Sequence, residues 1–319
     1  MNEMDFKIFL EKVEITLKKN NLFIDHIERI DSGKNSYAWK IKSRNKYFFL
    51  KLYKSNKNDN RDRIGAEYRF INLLKNLGKK NIPEVILLDQ EEKWSLFKWI
   101  NGKKIKKPIQ KDWDSLLEFI TSIQNLKQHK DANKIGLASE ACFSLNEHYK
   151  LIKGRLNQLI KKTYGAEKIW LENEVYNSIK KYKSKFKTYF TEGYFTSHEI
   201  RILSPSDVGF HNILKVDNKF YYFDFEYSGW DDPYKLICDL IIQPENILPK
   251  DESICIFNKL RDTLDLGNNY DLLKIYINLY RAKWISIILN NLNHEKGLDK
   301  KFIRKSFNYY IKIGEIWQL

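Results

Sequence analysis

The chain has 319 residues, 43% of them hydrophobic and 14% aromatic, which is enough to bury a core in two lobes or subdomains and excludes a disordered chain. A net charge of +15 raises a nucleic acid or an anionic membrane as partner; the lysines are nevertheless scattered as KK and KxK pairs, and the densest runs, 103–107 and 180–187, lack an RNA-binding aromatic signature, so a solvated basic surface is expected and nucleic acid is not the expected partner. No apolar run approaches the length of a membrane span and no signal-peptide cleavage region follows the first residues, so a cytoplasmic protein is expected.

The first twenty residues place apolar side chains at helical spacing and predict a leading helix. Two strands are expected at 27–30 and 37–41, with Gly33 and Ser36 in a tight polar turn between them. Its backbone N–H groups suit nucleotide phosphates, although an ordinary hairpin turn explains the same residues. Residues 46–53, KYFFLKLY, read as a buried strand interrupted by one cation, Lys51, which is costly unless paired. In RDRIGAEYRFINLLKNL, Ile64, Tyr68, Ile71 and Leu74 keep helical spacing and Glu67 falls on their stripe. Taken singly these are a snorkelling lysine and a surface glutamate; in this order they predict a buried Lys51–Glu67 pair.

Strands at 85–88 and 94–99 complete the β-rich part, and after NGKKIKKP the pattern turns helical, at 113–126, 145–162, 167–190, 235–242, 253–264, 270–291 and 300–317. Cys142, Cys238 and Cys255 show no C-x-x-C spacing, which argues against a zinc site or a disulfide framework. Trp284 is expected in the core of its helix and Arg281 at the surface.

The chemistry concentrates in SPSDVGFHNILKVDNKFYYFDFE, where Asn212 follows Asp207 by five residues and Asp224 follows it by seventeen. Phosphoryl transfer from ATP needs a carboxylate to accept the acceptor hydroxyl's proton, and a second carboxylate with an amide oxygen to hold Mg²⁺ against the phosphates. Residues 213–216 and 219–223 are β-formers around Asp217-Asn218, a pair suited to a type I′ loop. Pairing Val216 with Lys219 sets Asn212 opposite Phe223. Strand alternation would then turn Asn212 and Asp224 to opposite faces, so the ladder must end before one of them. A polar hairpin with capping carboxylates is the alternative reading of the segment alone.

The order of polar loop, strand lysine, helix glutamate, apolar strand, D-x-x-x-x-N and D-F-E resembles the aminoglycoside phosphotransferase-like family of small-molecule kinases, over about residues 27–245. The resemblance implies an α+β, bilobal, protein-kinase-like fold: a small β-rich lobe over 1–100 and a larger helical lobe over 101–319, with the catalytic hairpin embedded in the latter. It implies Asp207 as catalytic base, Asn212 and Asp224 as Mg²⁺ ligands, Lys51 and Glu67 as the phosphate anchor, and a hinge at Lys98, Trp99 and Ile100 that binds adenine. ATP, or GTP, would be the co-substrate and a small-molecule hydroxyl the acceptor, with a sugar or polyol favoured. Asp232, in WDDPYKLICDL, is expected to be structural. Glu226, Tyr227 and Trp230 are candidates for contact with metal, phosphate or acceptor, or for packing beneath it. The chain departs from the family's H-G-D-x-H-P-x-N by carrying Pro205 in place of the first histidine, and is similar to an SPSD-bearing subgroup. A pseudokinase is disfavoured by the retained Lys51, Asp207, Asn212 and Asp224, and a protein kinase by the lack of an A-P-E-like segment.

Overall fold

The computed structural model describes residues 3–30, 35–54, 61–191, 201–289 and 300–319; Gly33 and the turn around it lie outside them. The chain forms two compact units, Met1–Lys106 with His211–Glu226, and Lys107–Phe210 with Tyr227–Leu319.

In the first unit, α1 (Glu3–Lys19) carries Phe9, Val13 and Leu17 at intervals of four, so that all three share one face. That face packs with Trp39, Ile41, Phe48, Leu50, Trp94 and Leu96 of a five-stranded antiparallel sheet. Its strands are β1 (His26–Ile30), β2 (Ser36–Ser43), β3 (Lys46–Tyr53), β4 (Val85–Asp89) and β5 (Trp94–Lys98), in the order β1-β2-β3-β5-β4. Helix α2 (Arg63–Asn76) starts at Asp62, whose carboxylate accepts the Gly65 N–H at 3.0 Å, and buries Phe70, Ile71, Leu73 and Leu74.

A second sheet aligns β6 (Lys103–Lys104) with β8 (Ile213–Val216) and β9 (Lys219–Tyr222). The hairpin is therefore built onto the first unit rather than embedded in the helical part, because β8 finds a backbone partner in β6 and Asn81 clamps β9. The Asn81 side chain donates to the Phe220 carbonyl at 2.8 Å while its own carbonyl accepts the Tyr222 N–H at 3.1 Å. The register runs from Val216↔Lys219 to Ile213↔Tyr222, as alternation and loop length predict. Of the loop pair only Asp217 takes positive φ, at +52°, so the turn is not type I′, which needs both central residues there.

The second unit contains α3 (Gln110–Gln124), α4 (Leu145–Ile160), α5 (Gly165–Trp170), α6 (Asn177–Lys185), α7 (Pro233–Ile241), α8 (Lys250–Arg261), α9 (Tyr270–Leu289) and α10 (Lys300–Trp317), with a two-stranded sheet of β7 (Ile202–Ser204) and β10 (Gly229–Asp231). The continuous helix expected at 167–190 is interrupted by a π-helical turn, Leu171–Tyr176, and closes in a 3₁₀ turn, Lys187–Phe190. Leu171, Val175 and Ile179 repeat every four residues, and the wider turn keeps all three fully buried where a regular α-helix would drift. Arg281, expected at the surface, is buried. Its guanidinium donates to Asn278 Oδ1, Ser178 Oγ and the Tyr310 hydroxyl and stacks over the Tyr310 ring at 4.1 Å; its α9 neighbour Trp284 is half-buried. No described helix is long and apolar enough to cross a membrane.

Strand β7, which leads into Asp207, is held by β10 and by the side chain of Gln124. The Gln124 amide donates to the Leu203 carbonyl at 2.8 Å and its Oε1 accepts the Leu203 N–H at 3.2 Å, all of it buried. Gln124→Ala strands two backbone groups and should lower stability by about 1–3 kcal/mol, read as a drop in the urea midpoint without a change in m.

Candidate functional site

Lys51 sits mid-strand in β3 at 3% exposure, and Glu67, at 2%, faces it from α2. The Lys51 Nζ donates to Glu67 Oε2 at 2.8 Å and Asp224 Oδ1 at 2.5 Å, and lies 3.1 Å from Glu226 Oε2. Burial would lower its pKa, but the Asp224 and Glu67 carboxylates more than offset this and hold Lys51 well above the ordinary lysine value. Burial raises Glu67, against the opposing pull of Lys51. Glu67 is further satisfied by the Tyr53 hydroxyl at 2.6 Å and by the Phe225 N–H, which donates to Oε1 at 3.2 Å. Tyr53 was legible only as an apolar flank; its position two residues after Lys51 on the same strand puts both side chains on one face.

Asp224 and Asn212 escape the alternation of the hairpin by leaving it. Asn212 closes a 3₁₀ turn, Phe210–Asn212, before β8, and Asp224 takes φ +66° after β9. The Phe223 N–H still donates to the Asn212 carbonyl at 3.1 Å, so the two residues stay at one end of the hairpin. Asp224 keeps 35% of its side chain exposed, and the neighbouring Glu226 Oε2 is buried without an aligned hydrogen bond. Glu67, Asp224 and Glu226 bring carboxylate oxygens within 4.8 Å of one another. Hard oxygen donors with one carboxylate partly open to solvent fit Mg²⁺, which retains water and phosphate oxygens among its ligands.

At the end of β5 the Lys98 N–H donates to the Glu84 carbonyl at 2.9 Å and the Trp99 N–H to that of Tyr47 at 3.1 Å. Ile100 makes no such backbone donation among the described residues. Ser36 opens β2, buried and in register with Tyr53.

Asp207 belongs to the second unit. From Ile202 to Phe210 it is the one residue that is not buried. The bend that presents it runs through Ser206, a non-glycine at φ +66°. The H-G-D pattern that this segment resembles has glycine there, which adopts this region without a Cβ penalty. Here the strain is held by polar contacts: the Ser206 N–H donates to Ser204 Oγ at 3.0 Å, and Lys235 Nζ donates to Ser206 Oγ at 3.2 Å. Lys235 is itself buried between Asp231 and Asp239; burial lowers its pKa, but Asp231 and Asp239 raise it above the ordinary value. No lone motif in the sequence marked this prop.

Asp232 caps α7, accepting the Tyr234 N–H at 2.6 Å with Pro233 at the first helical position. Its other oxygen takes the Tyr276 hydroxyl at 2.7 Å and lies 3.1 Å from His148 Nε2. Trp230 is in β10, its indole N–H donating to the Ala132 carbonyl at 3.2 Å, and the Tyr227 carbonyl accepts the Ser139 N–H at 3.0 Å. Gly229 is obligatory there, since a Cβ would lie 2.4 Å from the Ala138 nitrogen.

Lys51→Met leaves three carboxylates facing one another without their cation. Stability at pH 8 should fall by about 3–5 kcal/mol. Carboxylates whose pKa is raised in the folded state are stabilising below their ordinary pKa and lose that contribution as pH rises, so the deficit against wild type should shrink at pH 5. Urea titrations of both proteins at the two pH values measure it.

No protein-family model and no curated relative matches the chain by sequence. Solved structures do match in shape. A choline kinase from Streptococcus pneumoniae superposes with a TM-score of 0.66 at 18% identity, covering 99% of each chain. A spectinomycin phosphotransferase bound to ADP and spectinomycin gives 0.65 at 15%, covering 97% of each. An ADP-bound aminoglycoside phosphotransferase gives 0.59 at 16%, covering 97% of this chain and 98% of its own. The antiparallel sheet of the first unit and the helical second unit are the bilobal protein-kinase-like fold of the aminoglycoside phosphotransferases and choline kinases.

Proposed function

We propose that the protein is a phosphotransferase that moves the γ-phosphate of ATP to a hydroxyl of a small molecule, a sugar or other polyol. The observation that carries this reading is the Lys51 ammonium held between Glu67 of α2 and Asp224 of the D-F-E segment. A structural ion pair needs one carboxylate; a lysine that bridges the helix glutamate and the metal aspartate is the arrangement that grips α- and β-phosphates in this fold class. ADP-bound neighbours of the same fold support a nucleotide as co-substrate.

In this reading Lys51 binds the phosphates, oriented by Glu67 and Tyr53. Asp224 and Asn212 hold Mg²⁺, which offsets phosphate charge when bound. The Ile100 N–H meets adenine, since Lys98 and Trp99 have already donated theirs. Ser36, the first residue of β2, is assigned to the phosphate-facing side of the nucleotide site; Gly33 lies outside the described residues. Asp207, offered by a loop otherwise buried, orients the acceptor hydroxyl and takes its proton. Eight residues separate Asp224 from the start of α7 at Pro233, too few for a peptide-binding activation segment, which favours a small acceptor over a protein.

Asp207→Ala should lower turnover by about 10²–10⁴-fold in an ADP-release assay over a panel of sugars and polyols, with nucleotide affinity nearly unchanged. Substantial turnover in that variant rejects the assignment. Asp224→Ala should instead abolish the Mg²⁺ dependence of nucleotide binding, measured by calorimetry with and without the ion.

A further inference from the structure

A cavity of about 450 Å³ opens within the second unit, lined by none of the residues assigned above. One wall is the α4 face bearing Lys150, Gly154 and Arg155, continued by Lys162; opposite stand Glu140 and, from α9, Ser286. Three cations thus face a single carboxylate, and Glu140 is already committed: it pairs with Arg155 and lies 3.6 Å from Lys283 Nζ. Lys283, one turn before Ser286, is 5% exposed. Among the described residues its ammonium makes no hydrogen bond, having only Glu140 and the Tyr280 ring at 4.8 Å. Burial, opposed only in part by Asp239, pushes its pKa down to about 8. The lining therefore carries a net positive charge, to which the Lys283 ammonium beside Glu140 adds.

Gly154 is the second observation. A glycine inside a helix costs about 1 kcal/mol relative to alanine. No packing demand explains it, since a Cβ would meet nothing within 4 Å and its φ is not positive. Its consequence is an open wall in mid-cavity.

We infer that this cavity binds the anionic group, phosphate or carboxylate, of a small hydroxylated molecule. Glu140 fixes the Arg155 guanidinium at the wall, Lys150 and Lys162 supply point charges at the mouth, and the space freed by Gly154 admits the body of the ligand. The volume suits a metabolite and not a nucleic acid chain. Binding at the cavity stands without the phosphotransfer reading; identifying the bound anion as the acceptor rests on that reading.

The test titrates the full chain calorimetrically, without nucleotide, with inorganic phosphate, glucose 6-phosphate, gluconate and glucose. At least one of the three anions should bind tenfold or more tighter than glucose and weaken when salt is raised. Gly154→Phe and the double variant Lys150→Gln/Lys162→Gln should each lose that preference while keeping the wild-type Tm. Failure of all three anions to outbind glucose, or undiminished binding in either folded variant, overturns the inference. With Mg²⁺-ATP present, a mass gain of one phosphoryl group that Asp207→Ala lacks, although it still binds the anion, supports the cavity as an acceptor site. Binding without conversion supports the cavity as a separate ligand site. Loss of turnover on every acceptor while anion binding persists counts against the phosphotransfer reading alone.

Discussion

Removing the Lys51 ammonium from water would cost several kcal/mol were it alone, and the first unit is arranged so that it is not. Glu67 reaches it from α2, and Asp224 and Glu226 reach it from the strand exit. The same Glu67 carboxylate takes the Phe225 N–H, and the Phe225 ring packs against Phe70 at 5.3 Å, one turn of α2 beyond Glu67. Strand, helix and the D-F-E segment are thereby tied by one charge cluster. Because the cluster is pinned by sheet and helix, its geometry is set by the fold, which is what the electrostatic preorganisation of the proposed phosphate site would require.

The second unit solves a different problem, presenting one carboxylate from a loop that is otherwise packed away. Gln124 fixes the strand that enters the loop, and Lys235 holds the bend at Ser206. A left-handed serine costs of order 1 kcal/mol or more, and it persists because Ser204, Lys235 and the carboxylates around Lys235 over-determine it. Pro205, which fixes φ, sits inside the same braced segment.

Much of this was legible because local chemistry and tertiary demand agree. The bounds of β3 and α10 and the register of β8 with β9 follow from period, loop length and composition, and Lys51 betrayed its pairing by being a cation in an apolar strand. Where they disagree, the reading fails. Arg281 looked like a surface residue on an apolar helix; besides Asn278 on its own helix, Ser178 and Tyr310, distant in sequence, make its burial tolerable. The π turn at Leu171–Tyr176 arises from a four-residue repeat that local periodicity cannot separate from an α-helix.

The sequence by itself determined which groups must pair and which groups the proposed chemistry draws on: a buried cation needs a buried anion, and D-x-x-x-x-N with a following aspartate supplies the carboxylates and amide on which the phosphotransfer reading rests. Only the tertiary structure decided that the hairpin joins the first unit through β6 and Asn81, that Tyr53 and Glu226 enter the charge cluster, and that Lys235 replaces a local motif as the brace behind Asp207. The division has a physical reason. Burial of a charge is a local penalty that any chain position reveals, whereas the identity of the group that relieves it depends on contacts between residues far apart in sequence.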